Sequence, residues 1–420
     1  MQSSKYALNE ATPTVEPSSV VRASRPESKF KRVLQTVWTD RAFRSALFAF
    51  ALTRLIILFV FICAAHFEVL PGTIPEDTSR QPHIIVHRET LIPKLAELAA
   101  RGDGNWYIGI ARHGYERRAF DTSTQRNWAF FPVYPMLLWV FYSITGEMQL
   151  TAIALSSFLL LWALILMHKT ATAFGFDQGV ADRSVFYLAA FPTSYFFSLA
   201  MTESLFLLLV VASFYAARRD SWWGAGVLGA IASATRFTGI LLFPTLCIQY
   251  WQQHRGRLRT DVLKLLLIPV GLLSFMYFLY SITGDALAFL NIQGSWARHA
   301  GLFFYPLYGY LRRPNEIGLP WDLRIVNFSA AVLGLVCGII LAKRREWSLA
   351  LYTLASVIIA LSSQLLQSQA RYTMVVFPIF FVLAGWGRNT WVDQTIRAIL
   401  LVLLGLMSAL YAGHFSAAMA

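Results

Sequence analysis

Apolar residues gather into long stretches with short polar links between them. They lie near 46–65, 150–167, 184–200, 203–217, 222–234, 236–250, 262–282, 326–342, 347–362, 373–387 and 396–413. Several approach the roughly 20 residues that a helix needs to span a bilayer. Their apolar residues run on rather than alternating, so helix is the expected state. The pattern predicts an all-α, polytopic transmembrane bundle of about 11 spans, in which one integral membrane domain fills 41–420. The Pro-, Ser- and Thr-rich residues 1–40 read as a disordered cytoplasmic tail. The first apolar run begins near Ala46, deeper than an ordinary signal peptide, and reads as a retained span.

Basic residues set the orientation. Lys29, Lys31, Arg32, Arg41 and Arg44 precede the first span. Arg218-Arg219, the Arg255, Arg257 and Arg259 cluster, Lys343-Arg344-Arg345, and Arg388 with Arg397 come later in the chain. Eleven crossings put all of them on one side, the cytoplasm, and leave the carboxyl terminus outside. One segment resists this count. A full crossing by 129–146, which opens Phe130-Phe131-Pro132-Val133-Tyr134-Pro135, would turn every later basic loop outward. It is therefore expected to be re-entrant or interfacial, which is tolerated at membrane depth where protein or a cavity covers it. Two long outer loops remain, near 66–128 and 283–325. The first holds Leu91, Leu95 and Leu98 at helical spacing, as an interfacial helix would.

Composition agrees with the pattern. The chain is 56% hydrophobic and 14% charged, against about 25% charged in soluble domains. Its net charge of +13 would suggest nucleic acid in a soluble protein. Here the charge lies in short loops between spans, and the expected electrostatic partner is anionic membrane lipid. Cys63, Cys247 and Cys337 all fall within apolar stretches and read as packing residues, without disulfide or metal spacing.

Candidate chemistry interrupts this apolar background. Asp103 follows Gly102 and precedes Gly104, with Trp106, Tyr107 and Ile110 continuing one helical face. From spacing alone it reads either as a carboxylate held at the membrane surface or as the N-cap of a helix over 104–112. Glu203, in Thr202-Glu203-Ser204, is either a functional carboxylate near bilayer depth or a first-turn residue favoured by the helix dipole. Arg236 lies between two short apolar helices, Arg371 at the outer start of another, and Gln293, Trp296 and Arg298 in the second long loop. Guanidiniums there can hold a phosphate headgroup in bidentate fashion, or simply snorkel at helix ends. His113 and His414 read as surface residues, and the sequon Asn327-Phe328-Ser329 sits at a membrane edge. The topology used none of Asp103, Glu203, Gln293 and Trp296, yet it places all four on the outer side with Arg236, Arg298 and Arg371. A metal-ligand cluster is not evident; Asp103 and Glu203 would be the pair to hold a divalent cation if one takes part.

The run Asp103-Gly104-Asn105-Trp106-Tyr107-Ile108-Gly109-Ile110-Ala111-Arg112-His113-Gly114-Tyr115 resembles the PIG-V family of mannosyltransferases, part of the GT-C superfamily. Phe130 to Pro135, Phe191-Pro192-Thr193-Ser194-Tyr195-Phe196-Phe197, Thr202-Glu203-Ser204-Leu205-Phe206, Thr235-Arg236 with Gly239, Gln293 with Trp296 and Arg298, and Arg371-Tyr372 with Pro378 continue the pattern in order. Two positions depart: Gly102 stands where the family usually has Trp, and Met201 where it often has Tyr. The resemblance implies a GT-C-like fold and transfer of a sugar, mannose by family habit. The implied donor is a polyprenyl- or dolichyl-phosphate sugar and the acceptor a lipid, glycolipid or cell-envelope molecule. It also implies Asp103 as catalytic base, with partial burial expected to raise its pKa. The other candidates would bind substrate on the non-cytoplasmic side of a bacterial plasma membrane or, second in preference, of the endoplasmic reticulum. Rival readings are transfer of another sugar, lipid or sugar transport, and a non-catalytic scaffold.

Overall fold

A computed structural model describes residues 39–66, 91–314 and 323–413. The chain divides after Asp40, and the larger unit, Arg41–Ala420, holds the helical bundle. Nearly all of the expected tail, and the loop segments 67–90 and 315–322, lie outside the described residues.

Every regular element among the described residues is helical. In chain order these are α1 (Arg41–His66), α2 (Leu91–Ala100), α3 (Asp103–His113), α4 (Val133–Thr145), α5 (Met148–Ala173), α6 (Gln178–Ala189), α7 (Glu203–Arg218), α8 (Trp222–Ser233) and α9 (Leu242–Gln253). The second half of the chain forms α10 (Leu267–Thr283), α11 (Ala288–Asn291), α12 (Tyr305–Arg312), α13 (Arg324–Lys343), α14 (Trp347–Leu361), α15 (Gln369–Met374), α16 (Pro378–Trp386) and α17 (Thr390–Ala412). Five helical runs are long and apolar enough to cross a membrane: Arg41–Ala65, Met148–Ala173, Thr260–Thr283, Arg324–Lys343 and Thr390–Ala412. In lipid the backbone must satisfy its own polar groups, and continuous helix does so. Trp139, Ile144, Tyr277, Trp391 and Val402 are all more than half exposed. Such an apolar exterior suits lipid and not water. The protein is an integral membrane protein.

The remaining apolar stretches are shorter or broken. The stretch 184–200 was expected to be one span. Instead α6 ends at Ala189, and after Pro192 the chain makes a 3₁₀ turn over Ser194–Ser198. Proline removes a backbone donor and crowds the preceding turn. The stretch 373–387 is likewise split into α15 and α16, with Pro378 at the start of the second. The stretch 236–250 begins as a 3₁₀ turn, Phe237–Leu241, before α9. Helix α4 has 13 residues, about 20 Å at 1.5 Å per residue, against a hydrocarbon core of about 30 Å.

Packing follows membrane rules. Helix α5 lies along α7, α13 along α14, and α8 against both α7 and α10. Small residues let helices approach closely where no hydrophobic drive joins them. A Cβ added at Gly271 of α10 would sit 1.9 Å from the Ala230 carbonyl oxygen of α8, and one at Gly226 would sit 2.3 Å from the Lys264 carbonyl. Ser233 closes this seam by donating to the Ile268 carbonyl at 2.5 Å. The seam holds the α8–α9 hairpin, whose link carries Thr235 and Arg236. The amphipathic stretch from Leu91 forms α2, with Leu98 buried and Ile92 exposed, packed on α1 and α5.

Candidate active site

The site is assembled from interruptions in the helices. Arg54, inside the long apolar helix α1, donates to the carbonyls of Ala189 at 3.1 Å and Ser194 at 2.8 Å. It also donates to the hydroxyls of Ser194 at 2.7 Å and Ser198 at 3.0 Å. These bonds satisfy carbonyls on either side of the break at Pro192 and pin the turn leading into α7. The Ser204 hydroxyl donates to the Phe197 carbonyl at 2.6 Å and fixes the same turn from the other side. Arg371 sits on α15 just after Ser368, whose φ is 63°. The backbone N–H of Ala370 donates to Asn327 at 2.9 Å. The buried sequon asparagine is thus a structural acceptor. Thr193 donates to the Ala370 carbonyl at 3.3 Å, joining the Arg371 segment to the broken segment before Glu203.

Asp103, Glu203, Arg371 and Arg236 form one chain of ion pairs. Arg371 Nη1 donates to Asp103 Oδ2 at 2.6 Å and Nε to Glu203 Oε1 at 2.7 Å. Arg236 Nη1 reaches the same Glu203 oxygen at 2.9 Å and the Thr202 hydroxyl at 3.5 Å. Side-chain exposure is graded along the chain: none for Glu203, 5% for Arg371 and 37% for Asp103. A buried charge is tolerated when it is paired and hydrogen-bonded. Glu203 Oε2 nevertheless has no partner among the described residues.

Arg298 completes the group. Its guanidinium lies 5.8 Å from the Tyr372 ring centre, and Arg236 lies 5.6 Å from the same ring. Gln293 accepts from Arg298 at 3.5 Å. Among the described residues Arg298 makes no ion pair, so three guanidiniums gather around two carboxylates. Trp106 stacks on Phe130 with ring centres 5.5 Å apart and meets Trp296 edge-on at 6.2 Å. Tyr107 packs against Phe130 and Tyr134 and bonds the Thr202 hydroxyl at 3.5 Å. All nine residues singled out from the sequence therefore stand together.

The N-cap reading of Asp103 does not hold, whereas Glu203 does stand in the first turn of its helix, where the helix dipole favours it. Helix α3 starts at Asp103 itself with Gly102 as N-cap, and α7 starts at Glu203 with Thr202 as N-cap; no side-chain cap bond forms at either. Gly102 has φ 59° and ψ −128°, a region that side chains rarely enter. A backbone of this shape explains why Trp is absent there.

The expected rise in the Asp103 pKa is reversed. Desolvation pushes its carboxyl up, but the charge and hydrogen bond of Arg371, with the fields of Arg298 and Arg236, outweigh it and hold it below the usual carboxylate value. Asp103 and Glu203, the pair considered for a divalent cation, are bridged by Arg371 in this structure. Among the described residues no three acidic, His or Cys side chains gather as ligands.

Two cavities flank α3. One, of about 590 Å³, is walled by Ile110, Ala111, Pro135, Met136, Trp139 and Phe278 and reaches Ala234, two residues before Arg236. The other, of about 500 Å³, lies over Asn105, Gly109 and His113. Asp103 lines neither. The 129–146 segment walls the first cavity through Pro132 to Trp139 and touches the site through Phe130.

Sequence reading missed Arg54. Its signal was present, because an arginine inside an apolar run is rare and functional by default, but it was absorbed into the first span.

A curated relative is GPI alpha-1,6-mannosyltransferase 2 of Cricetulus griseus, 26% identical over 168 residues, which are 36% of this chain and 32% of that protein. The match thus spans about a third of the relative's length. No protein-family model matches the chain. Among solved structures, ArnT from Cupriavidus metallidurans bound to undecaprenyl phosphate aligns at TM-score 0.44 and 16% identity, over 88% of this chain and 76% of that one. The Archaeoglobus fulgidus oligosaccharyltransferase, in complex with Zn and sulfate, aligns at TM-score 0.43 and 14% identity, over 84% and 53% respectively.

Proposed function

We propose that this protein is a membrane glycosyltransferase that moves a sugar, mannose, from a polyprenyl- or dolichyl-phosphate donor to a lipid-linked or cell-envelope acceptor, on the non-cytoplasmic side. The single observation that carries this is the charge arrangement: three guanidiniums around two carboxylates, with Arg298 in no ion pair among the described residues and Asp103 the most open member of the ion-pair chain. That excess suits one anionic headgroup. The apolar cavity that begins at Ala234 suits the lipid tail attached to it. The eleven-span topology belongs to the same proposal, with the broken helices α6, α15 and α16 counted among the crossings.

In the reaction, an acceptor hydroxyl attacks C1 of the donor sugar, and the bond from C1 to the phosphate oxygen breaks. The hydroxyl proton passes to Asp103, and the phosphate leaves with its electrons onto Arg236, Arg298 and Arg371. Developing charge that meets preorganised guanidiniums is stabilised without reorganisation. Attack from the face opposite the phosphate inverts the sugar. Asp103 is a weak base while Arg371 holds it. A donor phosphate competes for that guanidinium, so donor binding frees the carboxylate and restores its basicity. Glu203 stays paired and holds two of the arginines in position.

Transfer of radiolabelled mannose from a polyprenyl-phosphate donor to membrane-extracted acceptors tests the proposal. Asp103→Asn should lower turnover by about 10²–10⁴ while donor binding persists. Normal transfer by Asp103→Asn removes the base. Passage of labelled lipid across vesicles without transfer favours a transporter.

A further inference from the structure

The cavity over Gly109 is not used by the proposed chemistry. Residues Asn105, Gly109 and His113 recur at intervals of four along α3, so they form one stripe of the helix. A Cβ added at Gly109 would meet no heavy atom within 4 Å. The middle of the stripe is therefore bare backbone with open space above it. Asn105 and His113 are exposed at its two ends, and neither side chain makes a hydrogen bond among the described residues. Glu116 faces the same space, with Oε2 held by Arg126 at 2.9 Å. Trp106 forms one wall and is fixed by its stacking on Phe130. Tyr115 lines the trough and is anchored through its hydroxyl to the Phe130 carbonyl at 2.6 Å.

We infer that this trough binds a neutral, hydroxyl-rich sugar ring of the acceptor. An aromatic wall offers a flat apolar face to the C–H side of a pyranose. An amide, an imidazole and a carboxylate supply donors and acceptors for its hydroxyls. No arginine or lysine lines it, so an anionic headgroup finds no partner here, whereas three guanidiniums await one beside Asp103. At 100° per residue, Trp106 stands about 60° around α3 from Asp103, and Gly109 about 60° further. The ring in the trough is therefore not the one that reacts. It belongs to a part of the acceptor that lies past Trp106 from the attacking hydroxyl. Binding energy from such a remote part orients the reacting group.

The inference rests on the glycosyltransferase reading for the word acceptor, but its test does not need turnover. An alkyl mannoside and undecaprenyl phosphate serve as separate probes. Their binding to the full chain, purified in a non-glycosidic detergent, is followed by saturation-transfer NMR. Gly109→Leu projects into the open space, its Cβ meeting no heavy atom within 4 Å. It should weaken alkyl mannoside binding at least tenfold and leave undecaprenyl phosphate binding within twofold. Asn105→Ala and His113→Ala, both at exposed positions, should each weaken the mannoside about three- to tenfold, the range of one lost hydrogen bond. Unchanged mannoside affinity in Gly109→Leu, or no mannoside binding by the wild type, overturns the inference. So does loss of undecaprenyl phosphate binding in correctly folded Gly109→Leu. Absence of mannosyl transfer with intact mannoside binding would refute the proposed reaction and leave the trough standing.

Discussion

Replacing Glu203 by Gln removes one negative charge from the centre of the ion-pair chain. Glu203 is fully buried, and a single oxygen accepts from both Arg371 and Arg236 at 2.7 and 2.9 Å. Gln keeps the shape and one carbonyl acceptor, so both hydrogen bonds can persist. What is lost is the charge: one carboxylate would remain among three guanidiniums. Breaking a buried pair by removing one partner costs about 3–5 kcal/mol. The retained acceptor places Glu203→Gln near the lower end, about 3 kcal/mol, and Glu203→Ala near the upper, about 5 kcal/mol. Asp103→Asn is the internal control. Its side chain is 37% exposed, and a solvent-screened pair of this kind is worth about 1 kcal/mol or less. Thermal unfolding in detergent should therefore rank wild type, Asp103→Asn, Glu203→Gln and Glu203→Ala in falling order, with a wide gap after the second. Added undecaprenyl phosphate should raise the midpoint of Glu203→Gln more than that of wild type, because the variant has more unneutralised positive charge. If Glu203→Gln unfolds within about 0.5 kcal/mol of wild type, the range of an ordinary surface substitution, the guanidiniums do not depend on Glu203 and the charge reasoning fails.

Three further outcomes are expected. Arg371 holds the Asp103 pKa down, so the acid limb of kcat/KM, which reports free enzyme, should lie below about pH 3.9, and that of kcat should lie higher once phosphate has taken Arg371; coincident limbs would contradict release of the base. Any stability from the Asp103–Arg371 pair is complete above the unfolded carboxylate value and fades as pH falls through the lowered folded one. Arg54→Met removes the guanidinium donor from the Ser194 carbonyl and leaves the Ala189 carbonyl to the Ser194 hydroxyl alone, and should cost about 1–3 kcal/mol, measured by the same unfolding assay, with loss of donor binding as the turn before Glu203 slackens. Single cysteines at positions 219 and 344 should resist an impermeant reagent applied outside while one at 300 reacts; labelling at 344 from outside would sink the eleven-span topology.

Much of this protein could be read from its residues in order. Unbroken apolar runs identify a membrane-embedded helical protein, because only backbone that bonds itself survives in lipid. The basic loops, placed without reference to chemistry, put Asp103, Glu203, Arg236, Gln293, Trp296, Arg298 and Arg371 on a common side, and all of them meet in the structure. A charge inside an apolar run costs free energy, so the few that persist are informative even one at a time. Arg54 carried the same signal and was passed over because its stretch already read as a span.

Which charge meets which was decided only in three dimensions. Asp103 and Arg371 are far apart in the chain, and nothing in their local sequence tells that one guanidinium bridges Asp103 to Glu203. The direction of the Asp103 pKa depended on that bridge: burial alone raises it, and the neighbouring arginine reverses the sign. The break at Pro192 was visible as a proline, yet its outcome depended on Arg54 arriving from a distant helix to bond the carbonyls around it, and the Arg371 segment likewise depended on Asn327 accepting the Ala370 N–H. Local sequence sets helix, span and side through short-range hydrogen bonding and transfer from water. Pairing within the site is a matter of Coulomb forces over a few ångströms, and only the packed bundle brings residues so far apart in the chain within that range.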